Sequence, residues 1–272
     1  MKKEIALVLG GGGAKGLAHI GAIRALEELG YSIKEVVGTS IGALVGGAYC
    51  AGGLDEMEKK MRSMTKTDYL KLVDFTLGKE GWVKGDRIFE IMEKEIISDQ
   101  NVGNLSIPFT AIATDLNSNE IAPFRNGSLF QAIRASISIP EFFVPVHQDG
   151  MKLVDGGLLS PLPIEFVQNK DLPVFAVNLS GKPTAKAEVI KESSENRIIP
   201  KIHLPSLKIV SVDILTSSIE LMLMKISEQT IELRKPEQVI SIPWNSCLFH
   251  EFYKAESQIE LGYTIAIQQF KS

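Results

Sequence analysis

The stretch Glu35-Val36-Val37-Gly38-Thr39-Ser40-Ile41-Gly42-Ala43-Leu44 constrains this chain most, because it reads as a strand end, a forced turn and a helix start. In G-x-S-x-G the two glycines flank the serine because a tight strand-to-helix turn leaves no room for a Cβ at either position. Ser40 is then lifted onto a strained elbow with its hydroxyl exposed and its N–H near a helix N-terminus. The pattern is short, and an ordinary βα turn in which Ser40 caps the helix would also satisfy it.

The segment before it strengthens the first reading. Residues 5–9 are continuously apolar, as expected of a strand covered on both faces of a parallel sheet. They run into Gly10-Gly11-Gly12-Gly13-Ala14-Lys15-Gly16, after which Leu17, Ile20, Ile23, Leu26 and Leu29 recur at helical spacing. A second strand over 33–37 leads through Ser40 into a helix over 41–51. Two successive βα units with buried strands predict an α/β fold built on a mainly parallel sheet.

Downstream, 54–64 and 87–97 read as helices with a less regular piece around 69–81, and 108–115 as a strand with 121–124 as its hairpin partner. A short helix over 129–135 enters Ser136-Ile137-Ser138-Ile139-Pro140. Residues 142–146 and 152–154 bracket Gln148-Asp149-Gly150, a hairpin signal that ends on Asp155-Gly156-Gly157. A buried strand is expected over 174–179, a polar and mobile surface excursion over 182–200, a long helix over 209–232, a last strand over 239–242 and a closing helix over 252–270. Neither repeats nor a linker divide the chain, so residues 1–272 read as one domain. Its core lies at about 5–180, and the last strand and C-terminal helices of 205–272 pack on it. The apolar run within 214–226 fits burial in the core, an acyl-chain wall, a lid or a homodimer face.

With a net charge of −4 and no clustered Lys and Arg, the chain has no nucleic-acid footprint. Cys50 and Cys247 lack metal-like spacing and read as reduced thiols, so neither a metal nor a disulfide scaffold is expected. The N-terminal apolar run is too short for a signal segment and nothing is long enough to span a bilayer, which points to the cytoplasm.

The glycine-rich turn has three possible uses. Gly11-x-Gly13-x-x-Gly16 has dinucleotide spacing, but Glu35, the only well-placed acidic residue, leads into the serine elbow rather than a ribose pocket. A Walker A loop would need a Lys-Ser/Thr pair that is absent. Beside a serine elbow, bare backbone N–H groups suit a developing oxyanion best. Lys15 either adds positive potential there or is a solvated surface lysine.

A serine nucleophile needs a base. His19, His147, His203 and His250 are the only histidines, and neither His203 nor His250 sits at a clean strand end. Asp155 ends a strand and precedes two glycines, so backbone can close around its carboxylate, which could accept the serine proton directly. A plain loop turn is the alternative. Ser136 and Ser138 either line the site floor or form the turn that supports Asp155; support is the favoured reading.

Gly11-Gly12-Gly13-Ala14-Lys15-Gly16, Gly38-Thr39-Ser40-Ile41-Gly42, Asp155-Gly156-Gly157 and the block from Arg134 to Pro140 together resemble the patatin-like phospholipase family, in its small bacterial branch. The resemblance spans about residues 5–180 and is weaker beyond. It implies a three-layer α/β/α fold and a Ser-Asp dyad that hydrolyses lipid acyl esters without cofactor or metal. Carried over residue by residue, Ser40 is the nucleophile, Asp155 the base, and Gly11, Gly12 and Gly13 the oxyanion donors, with Lys15, Gly16, Gly38, Gly42, Gly156 and Gly157 in support. Lys15 stands where the family more often has arginine, which removes a planar two-pronged anion contact. The implied partner is a lipid or other acyl ester, with peripheral contact at a membrane surface. A non-catalytic acyl- or phosphate-binding protein and an acyltransferase are the competing functions.

Overall fold

A computed structural model describes residues 3–72, 85–140, 142–182 and 212–271. In chain order the elements are β1 (Lys3–Leu9), α1 (Ala18–Glu28), β2 (Tyr31–Thr39), α2 (Ile41–Cys50), α3 (Leu54–Arg62), α4 (Lys66–Leu72), α5 (Asp86–Ile91) and β3 (Phe109–Asp115). They continue with β4 (Glu120–Phe124), α6 (Leu129–Ser136), β5 (Val146–Gln148), β6 (Met151–Asp155), β7 (Val174–Gly181), α7 (Val212–Arg234), β8 (Gln238–Pro243) and α8 (Ala255–Lys271). The eight strands form one sheet in the order β5-β6-β3-β2-β1-β7-β8, with β4 paired to β3 off this path. β1, β2, β3, β7 and β8 are mutually parallel, whereas β4, β5 and β6 run antiparallel to their neighbours.

β1 explains why the first apolar run shows no alternation. Ile5, Leu7 and Leu9 feed a core shared with α1, α2 and α8, while Ala6 and Val8 join Val37, Ile112, Leu162 and Ile164 on the opposite face. Successive side chains of a strand point to opposite faces, and here both faces are dry. On the first face α1 and α8 cross in backbone contact: a Cβ on Gly21 would lie 1.9 Å from the Ile259 carbonyl oxygen. Chain order also creates a crevice. β1 is flanked by β2 on one side and by the much later β7 on the other, so the carboxyl end of β1 is a topological switch point.

The mainly parallel α/β expectation is met, with differences of detail. The hairpin strand expected over 142–146 is confined to Val146–Gln148. Phe143 N–H instead closes a turn on Ile139 O, the Val144 carbonyl is taken by Arg134, and Pro145 has no N–H for a ladder. Helix 87–97 divides into α5 and a π-turn at Met92–Ile96, and the closing helix starts at Ala255 after a 3-10 turn. The excursion expected over 182–200 falls, beyond residue 182, outside the described residues, as do most of the irregular piece of 69–81 and the first residues of the 209–232 helix. Core burial for the 214–226 run is not what α7 adopts over its described side chains. Leu221 is 53% and Met222 62% exposed, while Leu223 and Ile226 are half-buried and Ser227 is buried. Among the described residues no helix is long and apolar enough to cross a membrane.

Candidate active site

Ser40 sits between β2 and α2 with φ 56° and ψ −125°, a region that non-glycine residues rarely enter and that costs about 1–3 kcal/mol. The flanking glycines permit it. A Cβ on Gly38 would lie 2.4 Å from the Gly42 carbonyl oxygen, and one on Gly42 would lie 2.1 Å from that of Leu9. The elbow therefore closes on itself and on the end of β1. Ser40 O accepts from Ala43 and Leu44 N–H and starts α2, but the Ser40 side chain caps nothing. Its hydroxyl is committed elsewhere, so the helix-cap reading of Ser40 does not hold.

Sheet register brings the partner in. Thr39 pairs with Ile112 on β3, and Ala113 pairs with Asp155 on β6, so both residues flank the same two residues of β3. Ser40 Oγ donates to Asp155 Oδ2 at 2.5 Å across 115 positions of sequence. The other carboxylate oxygen accepts Gly157 N–H at 2.7 Å, and Asp155 N–H donates to Ser138 O at 2.8 Å. Gly156 is pressed against β3, where a Cβ would lie 2.2 Å from Ile112 O. Burial pushes the Asp155 carboxyl up to about 6, and the bonds from Ser40 and Gly157 only partly offset it.

The helix-to-Pro140 block supports both residues. Ser138 braces the Asp155 backbone, as expected. Ser136, read with it as a support of Asp155, instead accepts Ser40 N–H on its hydroxyl at 2.9 Å and donates to Ile112 O at 2.6 Å. This brace on the elbow is absent from any reading of the local sequence, because its partners lie 96 and 24 positions away.

The glycine turn runs beside the elbow: a Cβ on Gly11 would lie 3.4 Å from Ser40 Cβ, and one on Gly16 would lie 2.2 Å from Ile41 Cγ2. Its three expected oxyanion donors are not equivalent. Gly11 N–H donates to Pro161 O at 2.9 Å and is already used, which removes it from the set. Gly12 and Gly13 N–H have no acceptor among the described residues. Leu179 backs Gly12, and the Phe249 ring lies against Gly13, where φ is +60°.

Lys15 is neither a solvated lysine nor an open source of positive potential. It is 5% exposed, donates to Trp244 O at 3.2 Å and pairs with Glu220 of α7 at 3.7 Å, so it ties the turn to the C-terminal third. Glu35, weighed as a ribose ligand, instead accepts the backbone N–H groups of Gln168 and Asn169. His147 and His250 are exposed, His203 lies outside the described residues, and His19 is wholly buried against Gly10. Among the described residues no imidazole is bonded to Ser40; its hydrogen-bonding partners there are Asp155, Ser136 and the start of α2. Among the described residues no group of three His, Cys, Asp or Glu could hold a metal ion.

A serine on a strand-turn-helix elbow at the carboxyl ends of parallel strands is the arrangement of serine hydrolases on α/β sheets. The chain belongs to the patatin-like phospholipase family, whose model matches residues 7–167. An uncharacterized NTE family protein of Mycobacterium tuberculosis is 42% identical over 186 residues, covering 68% of this chain and 51% of that protein. Neuropathy target esterase of Drosophila melanogaster is 34% identical over 172 residues, 61% of this chain and 12% of the esterase. The chain thus spans about half the length of the mycobacterial relative and a small part of the insect one. VipD from Legionella pneumophila shares the fold, with a TM-score of 0.52 at 13% identity, over 99% of this chain and 67% of VipD.

Proposed function

We propose that this chain is a serine lipid acyl hydrolase of the phospholipase A or lysophospholipase type, working through a Ser40-Asp155 dyad within one patatin-like domain. The observation that carries the reading is the 2.5 Å contact of the Ser40 hydroxyl with a buried carboxylate, next to a glycine turn with two amides that have no acceptor among the described residues. Ser40 Oγ attacks the ester carbonyl carbon while its proton passes to Asp155. Gly12 and Gly13 N–H receive the oxyanion. The intermediate collapses to acyl-Ser40, and the leaving alkoxide takes the proton from Asp155. Water then gives a proton to the same carboxylate and attacks the acyl group, and Ser40 is reprotonated as the fatty acid leaves.

A lipid substrate is supported by the family and by the apolar side chains exposed beside the site. Leu158 and Leu159 directly follow the Asp155-Gly156-Gly157 turn, and Trp244 and Leu248 belong to the segment that holds Lys15 and Gly13. Exposed apolar residues of this kind suit peripheral contact with a lipid surface. The free, buried thiols of Cys50 and Cys247 favour a reducing compartment, and we assign the cytoplasm.

A fluorophosphonate probe and a chromogenic acyl ester test the reading. Stoichiometric labelling of Ser40 is expected, with turnover abolished in Ser40→Ala and Asp155→Asn. Wild-type turnover in either folded variant refutes the dyad. Product analysis with an added alcohol acceptor separates hydrolysis from acyl transfer.

A further inference from the structure

We propose that His19 is a positioning residue that holds the glycine turn in its oxyanion-binding shape; this rests on the hydrolase reading above. His19 lies in the first turn of α1 and is fully buried, with Nε2 2.8 Å from the Gly10 carbonyl oxygen. A carbonyl can only accept, so Nε2 carries the hydrogen and Nδ1 is bare. Bare Nδ1 is itself buried and meets no partner among the described residues. Burial holds the ring neutral, pulling its pKa down to about 4. A leucine of similar size would leave no orphaned nitrogen in this core. The contribution peculiar to the imidazole is therefore its bond to Gly10.

The position of that bond gives it consequence. The Gly10 carbonyl and the Gly11 N–H belong to one planar peptide group and point in opposite directions. His19 holds one edge at 2.8 Å, and Pro161 O holds the other at 2.9 Å. Gly10 N–H is fixed as well, to Val177 O at 3.1 Å. The plane cannot rotate without breaking a bond on one side, and glycine provides no side-chain restraint of its own. Gly12 and Gly13 N–H, the two amides without acceptors among the described residues, belong to the next two peptide groups along the chain from this clamped plane. Removing the His19 bond frees one edge and lets those amides wander from the geometry that an oxyanion requires.

Three variants and two ligands test this. His19→Leu removes the donor, His19→Gln returns an N–H at about the reach of Nε2, and His19→Asn places it too short. For His19→Leu we expect kcat to fall roughly 10- to 100-fold, less than loss of an oxyanion donor outright, with KM within about twofold. His19→Gln should recover most of the loss and His19→Asn little of it. A long-chain trifluoromethyl ketone, to whose carbonyl carbon Ser40 Oγ adds as its proton passes to Asp155, leaves an oxyanion in the site. Its affinity should fall in step with kcat, while that of the matching secondary alcohol stays constant. Wild-type kcat in folded His19→Leu overturns the proposal, as does equal loss of ketone and alcohol binding, which marks a general collapse of the site. If His19→Leu fails to fold, the Gln and Asn variants decide, and equal activity in the two overturns it. Ser40→Ala run alongside separates the two levels: turnover there sinks the hydrolase reading, whereas a dead Ser40→Ala beside unaffected His19 variants sinks only this one.

Discussion

Asp155→Asn should abolish activity and yet stabilise the fold. Asp155 is 6% exposed, and burial raises its pKa from 3.8 to about 6 despite the bonds from Ser40 and Gly157. A carboxyl whose folded pKa lies above its unfolded value binds a proton more tightly when folded. Its ionisation therefore weakens the fold as pH rises, fully so above about 6, and the penalty vanishes below 3.8. The rise corresponds to about 3 kcal/mol at neutral pH. Asparagine keeps an oxygen for Gly157 N–H and turns an N–H₂ toward Ser40 Oγ without a buried charge. Paired thermal melts should then show Asp155→Asn about 6 °C above wild type at about pH 8, a gap that closes toward about pH 4. In the wild type kcat/KM should fall about tenfold per pH unit below about pH 6, because the protonated carboxyl cannot act as base. Equal melting temperatures at about pH 8, or a flat activity profile between about pH 5 and 7, would refute the picture of a desolvated carboxylate held ready as a base.

Ser136→Ala leaves Ser40 N–H and Ile112 O without their shared partner, so a loss of about 1–3 kcal/mol in urea unfolding and a lower kcat are expected. An unchanged kcat would mean that the elbow holds its strained dihedrals unaided. Gly42→Ala drives a Cβ to 2.1 Å from the Leu9 carbonyl oxygen, which cannot yield, and should cost more than about 3 kcal/mol; soluble, wild-type-like protein would show that the elbow relaxes. Lys15→Met breaks the ties to Glu220 and Trp244 O, and faster limited proteolysis within α7 is the expected readout.

The amino-acid sequence determined the parts of this molecule whose causes are short-range. Apolar 5–9 before four glycines, and a serine between Gly38 and Gly42, admit few backbones, and the elbow forms as read because the clash that excludes a Cβ lies within a few residues or on the next strand. Asp155 was legible for a similar reason: a carboxylate that backbone must close around needs glycines beside it. Tertiary structure alone decided how the groups between these points divide their work. Gly11 looks identical to Gly12 and Gly13 until Pro161, 150 positions on, takes its N–H. Lys15 reads as a surface lysine or a source of positive potential until Glu220 of α7 and Trp244, just past β8, engage it, and the apolar run within 214–226 turns Leu221 and Met222 outward. His19 and Ser136 acquire their roles only when helices dock on the sheet and bring Gly10 and Ser40 within hydrogen-bonding reach. The physical reason is that a hydrogen bond or ion pair depends on ångström-scale approach between distant segments, which sheet register and helix packing set and which local pattern does not encode.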